Sequence, residues 1–358
     1  MRTLLDWTGN SLKRRTTIAL GLGLALLGST ALTAPAGAAA VVTTQLAATT
    51  AIARETAAFW LAGGAANLRS ATPYGVQTVV HGQRSSGPAV PDGKPGTVPP
   101  VPGPDSPAGQ PATSGKVFFV GGDGLPHWCT GTAVQSVYRN LVATAGHCAH
   151  DLQRSGAAFD KWVFVPGHSG GATPWGLYVG KQVSTHYDFG AYTDHDRDFA
   201  LVNVYSGVVA ASDGTLTSTG RLVDNVGGQG FSWNQPLDGP RDVFGYPAGS
   251  HPDGTEPRTG ETLERSTGPV FTMTLSDLAA DSPAGVDSPF PGEGSLGSAW
   301  VERYSPAERA GYLNGVTISV SDTDGDGRYD TGVSPYFDFQ TAEVYRIAAR
   351  QWTGTILR

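Results

Sequence analysis

From Lys116 onward the apolar residues come in short runs bounded by Gly, Pro, Asp and Asn. These are Val117–Gly121, Val134–Val137, Leu141–Ala145, Trp162–Val165, Phe199–Val204, Val243–Gly245, Val270–Leu275 and Gly315–Val320. Many short runs with regular turn signals predict strands, and their number predicts a β-sandwich or β-barrel domain. One late segment changes period. In Thr341–Trp352, Val344, Ile347 and Ala348 recur at helical spacing, and Asp338 stands where it can cap a helix, so a C-terminal helix is expected over 339–352. Upstream, residues 41–86 are rich in Ala and Thr and contain a helical-looking piece, Ala51 to Leu68. Residues 87–111 hold nine prolines and several glycines. That composition has little to bury in a core and reads as an extended linker.

The ends and the charge narrow the setting. Lys13-Arg14-Arg15 precedes an apolar run from Ile18 to about Leu32, and Ala36-Gly37-Ala38-Ala39-Ala40 offers cleavage sites of the A-x-A kind. This is the pattern of a secretory signal peptide, so residues 1–40 are expected to be removed and the protein to be secreted and extracellular. The chain carries a net charge of −7, and removing the net +3 of residues 1–40 leaves −10. An acidic surface of this kind argues against nucleic acid or anionic membrane as a partner. The two cysteines, Cys129 and Cys148, are an even pair in a secreted chain, which is most simply a disulfide. A metal or redox pair is the competing reading, but the C-x-x-C spacing is absent.

Candidate chemistry gathers at His147 and Asp198. His147 follows the apolar run Leu141–Ala145 and stands beside Cys148, so a bridge would hold it rigidly enough to act as a general base. A structural histidine next to a disulfide is the plainer alternative. Asp198 heads Asp198-Phe199-Ala200-Leu201-Val202, from which a carboxylate can be lowered into the protein to orient an imidazole. The plainer alternative is a strand-capping aspartate. Asp194 and Asp196 read as surface charges.

These residues carry a resemblance. Thr144-Ala145-Gly146-His147-Cys148 resembles the general-base signature of secreted bacterial trypsin-like serine peptidases, of the branch near the glutamyl endopeptidases. Further stretches extend it over most of 114–358: Trp128-Cys129-Thr130-Gly131, Phe164-Val165-Pro166-Gly167, Gly245-Tyr246-Pro247-Ala248, Asn314-Gly315-Val316-Thr317 and Ser334-Pro335-Tyr336-Phe337. The resemblance implies an all-β, chymotrypsin-like double β-barrel with a C-terminal helix. The active site would lie in the crevice between barrels, with His147 as base and Asp198 as its orienting acid. The domain plan is then a signal peptide (1–40), a pro-segment and Pro/Gly-rich linker (41–113) and a peptidase domain (114–358).

The nucleophile does not follow the pattern. Aligned on Gly297, Ser298 and Trp300, the row Gly294-Ser295-Leu296-Gly297-Ser298-Ala299-Trp300 puts Leu296 where the family has its serine. Losing the nucleophile of such a triad costs roughly 10⁶ in turnover. Three hydroxyls compete to replace it: Ser295, if Leu296 is absorbed as an insertion; Ser298, two positions on; and Ser288, whose following Pro289 stands where glycine is expected. Ser276–Pro291 resembles an enlarged loop. Ile318 stands where the family often has a serine that supports the buried acid, with Ser319 as an alternative register. The leading expectation is a peptidase homologue with lost or strongly reduced hydrolysis and a peptide-binding crevice; the alternative is an active endopeptidase using Ser295 with His147 and Asp198. A monomer that takes a peptide or protein ligand is expected.

No cofactor is required by this chemistry. One loop is a candidate for Ca²⁺: Asp322, Asp324 and Asp326 stand at positions 1, 3 and 5 with Gly327 at position 6, and Asp330 at position 9. The glutamate of position 12 is replaced by Val333. A solvated acidic turn is the alternative. By the resemblance this loop follows the strand that borders the substrate pocket.

Overall fold

The computed structural model describes residues 40–76, 78–104, 110–152 and 156–357. The expected signal peptide lies outside them apart from its last residue. Six strands form a closed barrel. In order around it they are Tyr178–His186, Asp160–Pro166, Ser114–Val120, Pro126–Val134, Leu141–Thr144 and Ala200–Val204, which pairs back onto Tyr178–His186. Side chains alternate across each strand. Val117 and Phe119 therefore enter the barrel core, while Phe118, Val163 and Val165 face outward and join a second apolar cluster. Because both faces are covered, Val117–Val120 and Trp162–Val165 read as continuous apolar runs rather than alternating ones.

Helix Thr50–Ser70 belongs to that outer cluster. Trp60 is fully buried, its ring lies 5.6 Å from that of Phe118, and its indole N–H donates to the Lys161 carbonyl at 2.6 Å. The expected helix is thus present, capped by Thr49 and interrupted at Ala62–Ala65, where Gly63 and Gly64 take positive φ. Val41–Gln45 adds an antiparallel strand beside Tyr178–His186.

The second sheet runs Ser319–Ser321, Thr331–Pro335, Pro283–Asp287, Glu264–Leu275, Pro240–Gly245, Ala299–Ser305, Ala310–Val316, Gly230–Trp233 and Gly96–Val98, with Gly82–Arg84 on Glu264–Leu275. Two of its strands come from upstream of residue 114. Composition predicts an extended linker over 87–111, and the described part of it is extended, but it is also bonded along the sheet. Val101 exchanges main-chain hydrogen bonds of 2.8 and 2.9 Å with Gly228, and the Gly103 N–H donates to the Glu308 carbonyl. Proline removes donors only at its own positions, and the residues between supply them. Gly96 passes so close to Trp233 that an added Cβ would stand 2.0 Å from the ring, which excludes other residues there.

The C-terminal helix is Phe339–Ala348, four residues shorter at its end than expected, with Asp338 and Thr341 forming a capping box. It fastens to both barrels. Tyr345 stacks on Phe231 at 4.3 Å and its hydroxyl donates to the Gln135 carbonyl, while Asn203 donates to the Ala348 carbonyl. No helix among the described residues is long and apolar enough to cross a membrane.

Trp60→Ala should cost about 3–5 kcal/mol in a urea unfolding experiment. Trp352→Ala, at a residue 58% exposed, should cost less than about 1 kcal/mol. Equal effects would mean that the segment upstream of the barrels is not an integral part of the fold.

Candidate active site

Two neighbouring strand ends set the first pair. Leu141–Thr144 and Ala200–Val204 are antiparallel, with Thr144 opposite Ala200. The chain leaving the first strand reaches His147 in the short turn Gly146–Cys148, and the chain entering the second passes Asp198 just before it. The His147 main-chain N–H donates to Asp198 Oδ1 at 3.0 Å, and its ring Nδ1 lies 2.7 Å from Oδ2. Both side chains are buried. Gly146 is required here, because a Cβ would stand 2.6 Å from the Phe189 ring and 2.9 Å from Asp198 Oδ1. The Cys129–Cys148 disulfide ties the turn to strand Pro126–Val134, and closing a loop of that length contributes about 3 kcal/mol in the chain-entropy picture.

Burial by itself would push the Asp198 carboxyl up. The imidazoles of His147 and His195 outweigh it and hold the carboxyl well below the usual carboxylate range. His195 was not singled out in the sequence. Its Nδ1 lies 3.4 Å from Asp198 Oδ2, and its main-chain N–H donates to the Ala279 carbonyl. Its spacing, three residues before Asp198, was the only available signal. Asp196 is not a free surface charge either: it accepts the N–H groups of Asp281 and Ser282, and burial raises its carboxyl despite them. The enlarged loop is thereby fastened beside the Asp198 turn.

The second component is the turn Gly292–Ser298, clasped from the first barrel. Thr130 N–H donates to the Leu296 carbonyl at 2.8 Å, and Thr130 Oγ1 donates to the Gly294 carbonyl at 2.7 Å while accepting from Tyr246 N–H. Gly297 N–H donates to the Thr317 carbonyl, and Thr317 N–H to that of Ser298. Gly294 and Gly297 take positive φ, and a Cβ at either would collide with main-chain oxygen, at 2.4 Å on Tyr246 and 2.1 Å on Thr130 respectively. Among the described residues, the N–H groups of Gly294 and Leu296 donate to no protein acceptor.

Leu296 has no exposed surface and lies in the apolar cluster with Ala143, Ala145, Val316 and Ile318. The hydroxyls of Ser295, Ser298 and Ser288 are buried and have no hydrogen-bond partner among the described residues, and neither does His147 Nε2. None of the three is therefore hydrogen-bonded to the imidazole. Ser298 Oγ is turned toward Gly245, where an added Cβ would stand 1.9 Å from it. Lys116, cross-strand neighbour of Thr130, is buried with Nζ 3.5 Å from the centre of the Trp128 ring.

At the acidic loop, carboxylate oxygens of Asp322, Asp324 and Asp326 lie within 4.8 Å of one another. Asp330 is drawn aside, accepting from the main-chain N–H and hydroxyl of Thr323. Three carboxylates converge, against the six to eight oxygens calcium takes.

With this geometry in hand, comparison with solved structures decides the architecture. A thermostable serine protease, AL20, from an extremophilic microorganism superposes with a TM-score of 0.54 at 24% identity, over 69% of this chain and 100% of that one. The protease Anisep from Arthrobacter nicotinovorans gives 0.53 at 25% identity, over 72% and 100%. This is the chymotrypsin-like serine-protease fold. No family model and no curated protein matches the chain.

Asp198→Ala strands two buried imidazoles and the His147 N–H, and should cost about 3–5 kcal/mol near pH 7. Because the native carboxyl titrates lower than in the unfolded chain, its contribution is present above the ordinary value near 3.8 and fades as pH falls through the native value. Urea midpoints of the wild type and variant should thus converge in acid; a constant gap would contradict the ionised Asp198. Lys116 has the opposite sign. Burial lowers it from 10.5 to about 8 against the pull of Glu261. Above about pH 8 the unfolded chain binds the extra proton, so stability should rise toward pH 10.5 by something on the order of 3 kcal/mol. Lys116→Met should remove that rise and increase the melting temperature at pH 7; a variant that melts lower at pH 7 would refute the burial penalty.

Proposed function

We propose that the chain is a secreted homologue of trypsin-like serine peptidases in which hydrolysis is lost or strongly reduced and the crevice between the barrels retains peptide binding. One observation carries this reading. The His147–Asp198 pair is assembled and buried with Nε2 unpartnered, whereas the turn held by Thr130 offers the Leu296 hydrocarbon side chain and no hydroxyl bonded to that nitrogen. Leucine cannot form an acyl-enzyme, and what binding and the free N–H groups of the turn could still contribute is about 10³–10⁴ over water. The disulfide fits an extracellular setting. A peptide or protein is the ligand class, no cofactor takes part, and the chain acts as a monomer. Calcium at Asp322, Asp324 and Asp326 is a separate proposal; an unchanged melting midpoint at millimolar calcium removes it.

A second reading rests on Ser295. A buried hydroxyl without a partner is uncommon in a native protein, and Ser295 Oγ is one. If the turn brings that hydroxyl within hydrogen-bond reach of His147 Nε2, it becomes the nucleophile.

Treatment with a fluorophosphonate probe and with casein separates the two. The wild type should remain unlabelled and leave casein intact. Leu296→Ser should gain covalent labelling at residue 296, faster by on the order of 10³ or more. Labelling of wild-type Ser295, mapped by peptide mass spectrometry, would overturn the inactive reading in favour of the second.

A further inference from the structure

Strand Ser319–Ser321 ends the second sheet. Its inner side pairs with Thr331–Pro335, and the main-chain N–H and carbonyl of Val320 point to its outer side, the kind of edge that captures an extended peptide. The edge begins next to the Leu296 turn, since Thr317, two residues before it, is bonded to Gly297 and Ser298. It is already occupied. Val80 N–H donates to the Val320 carbonyl at 3.0 Å, and Val320 N–H donates to the Thr78 carbonyl at 2.9 Å, a parallel bridge made by the chain's own upstream segment.

The segment that does this spans the two barrels. At its start, Thr72–Pro73 pairs with His127 and Trp128, and Tyr74 N–H donates to the Trp128 carbonyl. It then passes the turn itself: an added Cβ on Gly75 would stand 3.5 Å from the Glu293 carboxylate, and one on Gly292 would stand 2.8 Å from Thr78. Beyond Val80, Gly82 N–H donates to Ser321 Oγ, Gly82–Arg84 pairs with Met273–Leu275, His81 meets Asp277, and Arg84 meets Asp287. Tyr74 and Val80 are buried in the same apolar cluster as Leu296 and Ile318, whereas Val79, His81, Gln83 and Arg84 face solvent. Among the described residues the hold is therefore a handful of main-chain bonds, the buried Tyr74 and Val80 and the half-buried Val76, which suits a segment that opens before the barrels do.

We infer that residues 72–76 and 78–84 act as an autoinhibitory strap: they fill the peptide-docking edge at Val320 beside the Leu296 turn, so an outside chain pairs there only after the strap is lifted or cut. The inference rests on the proposed peptide-binding crevice and adds its regulation. It does not depend on which residue, if any, attacks a peptide bond.

The test uses the full secreted chain, with Val80→Pro, which removes the donor to Val320, and Val80→Asp, which places a charge in a buried apolar position. Hydrogen exchange should show the Val320 amide becoming at least about tenfold faster in both variants, while the amides of Leu201–Val204 keep their protection. A fluorescein-labelled synthetic peptide of residues 72–84 should bind the variants at least about tenfold more tightly than the wild type. The inference is overturned if the Val320 amide stays as slow in both variants, or if the wild type binds the peptide as tightly as they do. Fluorophosphonate labelling of wild-type Ser295 would sink the inactive reading and leave these two readouts unchanged.

Discussion

The Thr130 clasp is the joint on which the site depends. Its N–H and Oγ1 hold the carbonyls of Leu296 and Gly294, its carbonyl accepts from Thr144 Oγ1, and its hydroxyl accepts from Tyr246 N–H. One residue of the first barrel thus registers a turn of the second against the strand that leads to His147. Each bond is buried, where an unmade partner is costly, so the turn has little freedom to slide. With the Leu296 carbonyl pinned and Gly297 pressed onto the Thr130 oxygen, the leucine side chain lies in the buried apolar cluster that also holds Ala143 and Val316.

That constraint connects the chemistry to the architecture. His147 and Asp198 depend on the pairing of Thr144 with Ala200 inside the first barrel, so the pair can persist whatever stands at position 296. The turn is held by glycines and main-chain bonds, so it too can persist. The frame of the site therefore does not depend on which side chain stands at position 296. The enlarged loop and the upstream segment then close around it, one fastened to Asp196 and His195, the other laid along Val320.

Much of this was readable in one dimension. The strand at Leu141, the His147 turn, Asp198 before a buried run, the bridge between Cys129 and Cys148 and the cap at Asp338 all rest on local chemistry: a run of apolar residues, a turn residue, a paired cysteine, a capping carboxylate. Strands Tyr178–His186, Thr331–Pro335 and much of Pro126–Val134 were not readable in that way, because polar residues such as Lys181, Gln182 and His127 interrupt their apolar pattern and pairing supplies the stability. His195 carries no motif, and Asp196 reads as a surface charge in sequence because its partners lie 85 and 86 positions away.

The sequence by itself determined the all-β class, the disulfide pair, the candidacy of His147 and Asp198 and the presence of leucine at position 296, since each depends on residue type and near neighbours. Only the tertiary structure decided that residues 41–104 are woven into the barrels, that a second histidine shares Asp198, and that the edge at Val320 is taken by the chain itself. These depend on main-chain groups meeting across long separations, and every residue but proline carries the same donor and acceptor. Nothing in the order of side chains marks which of them will pair.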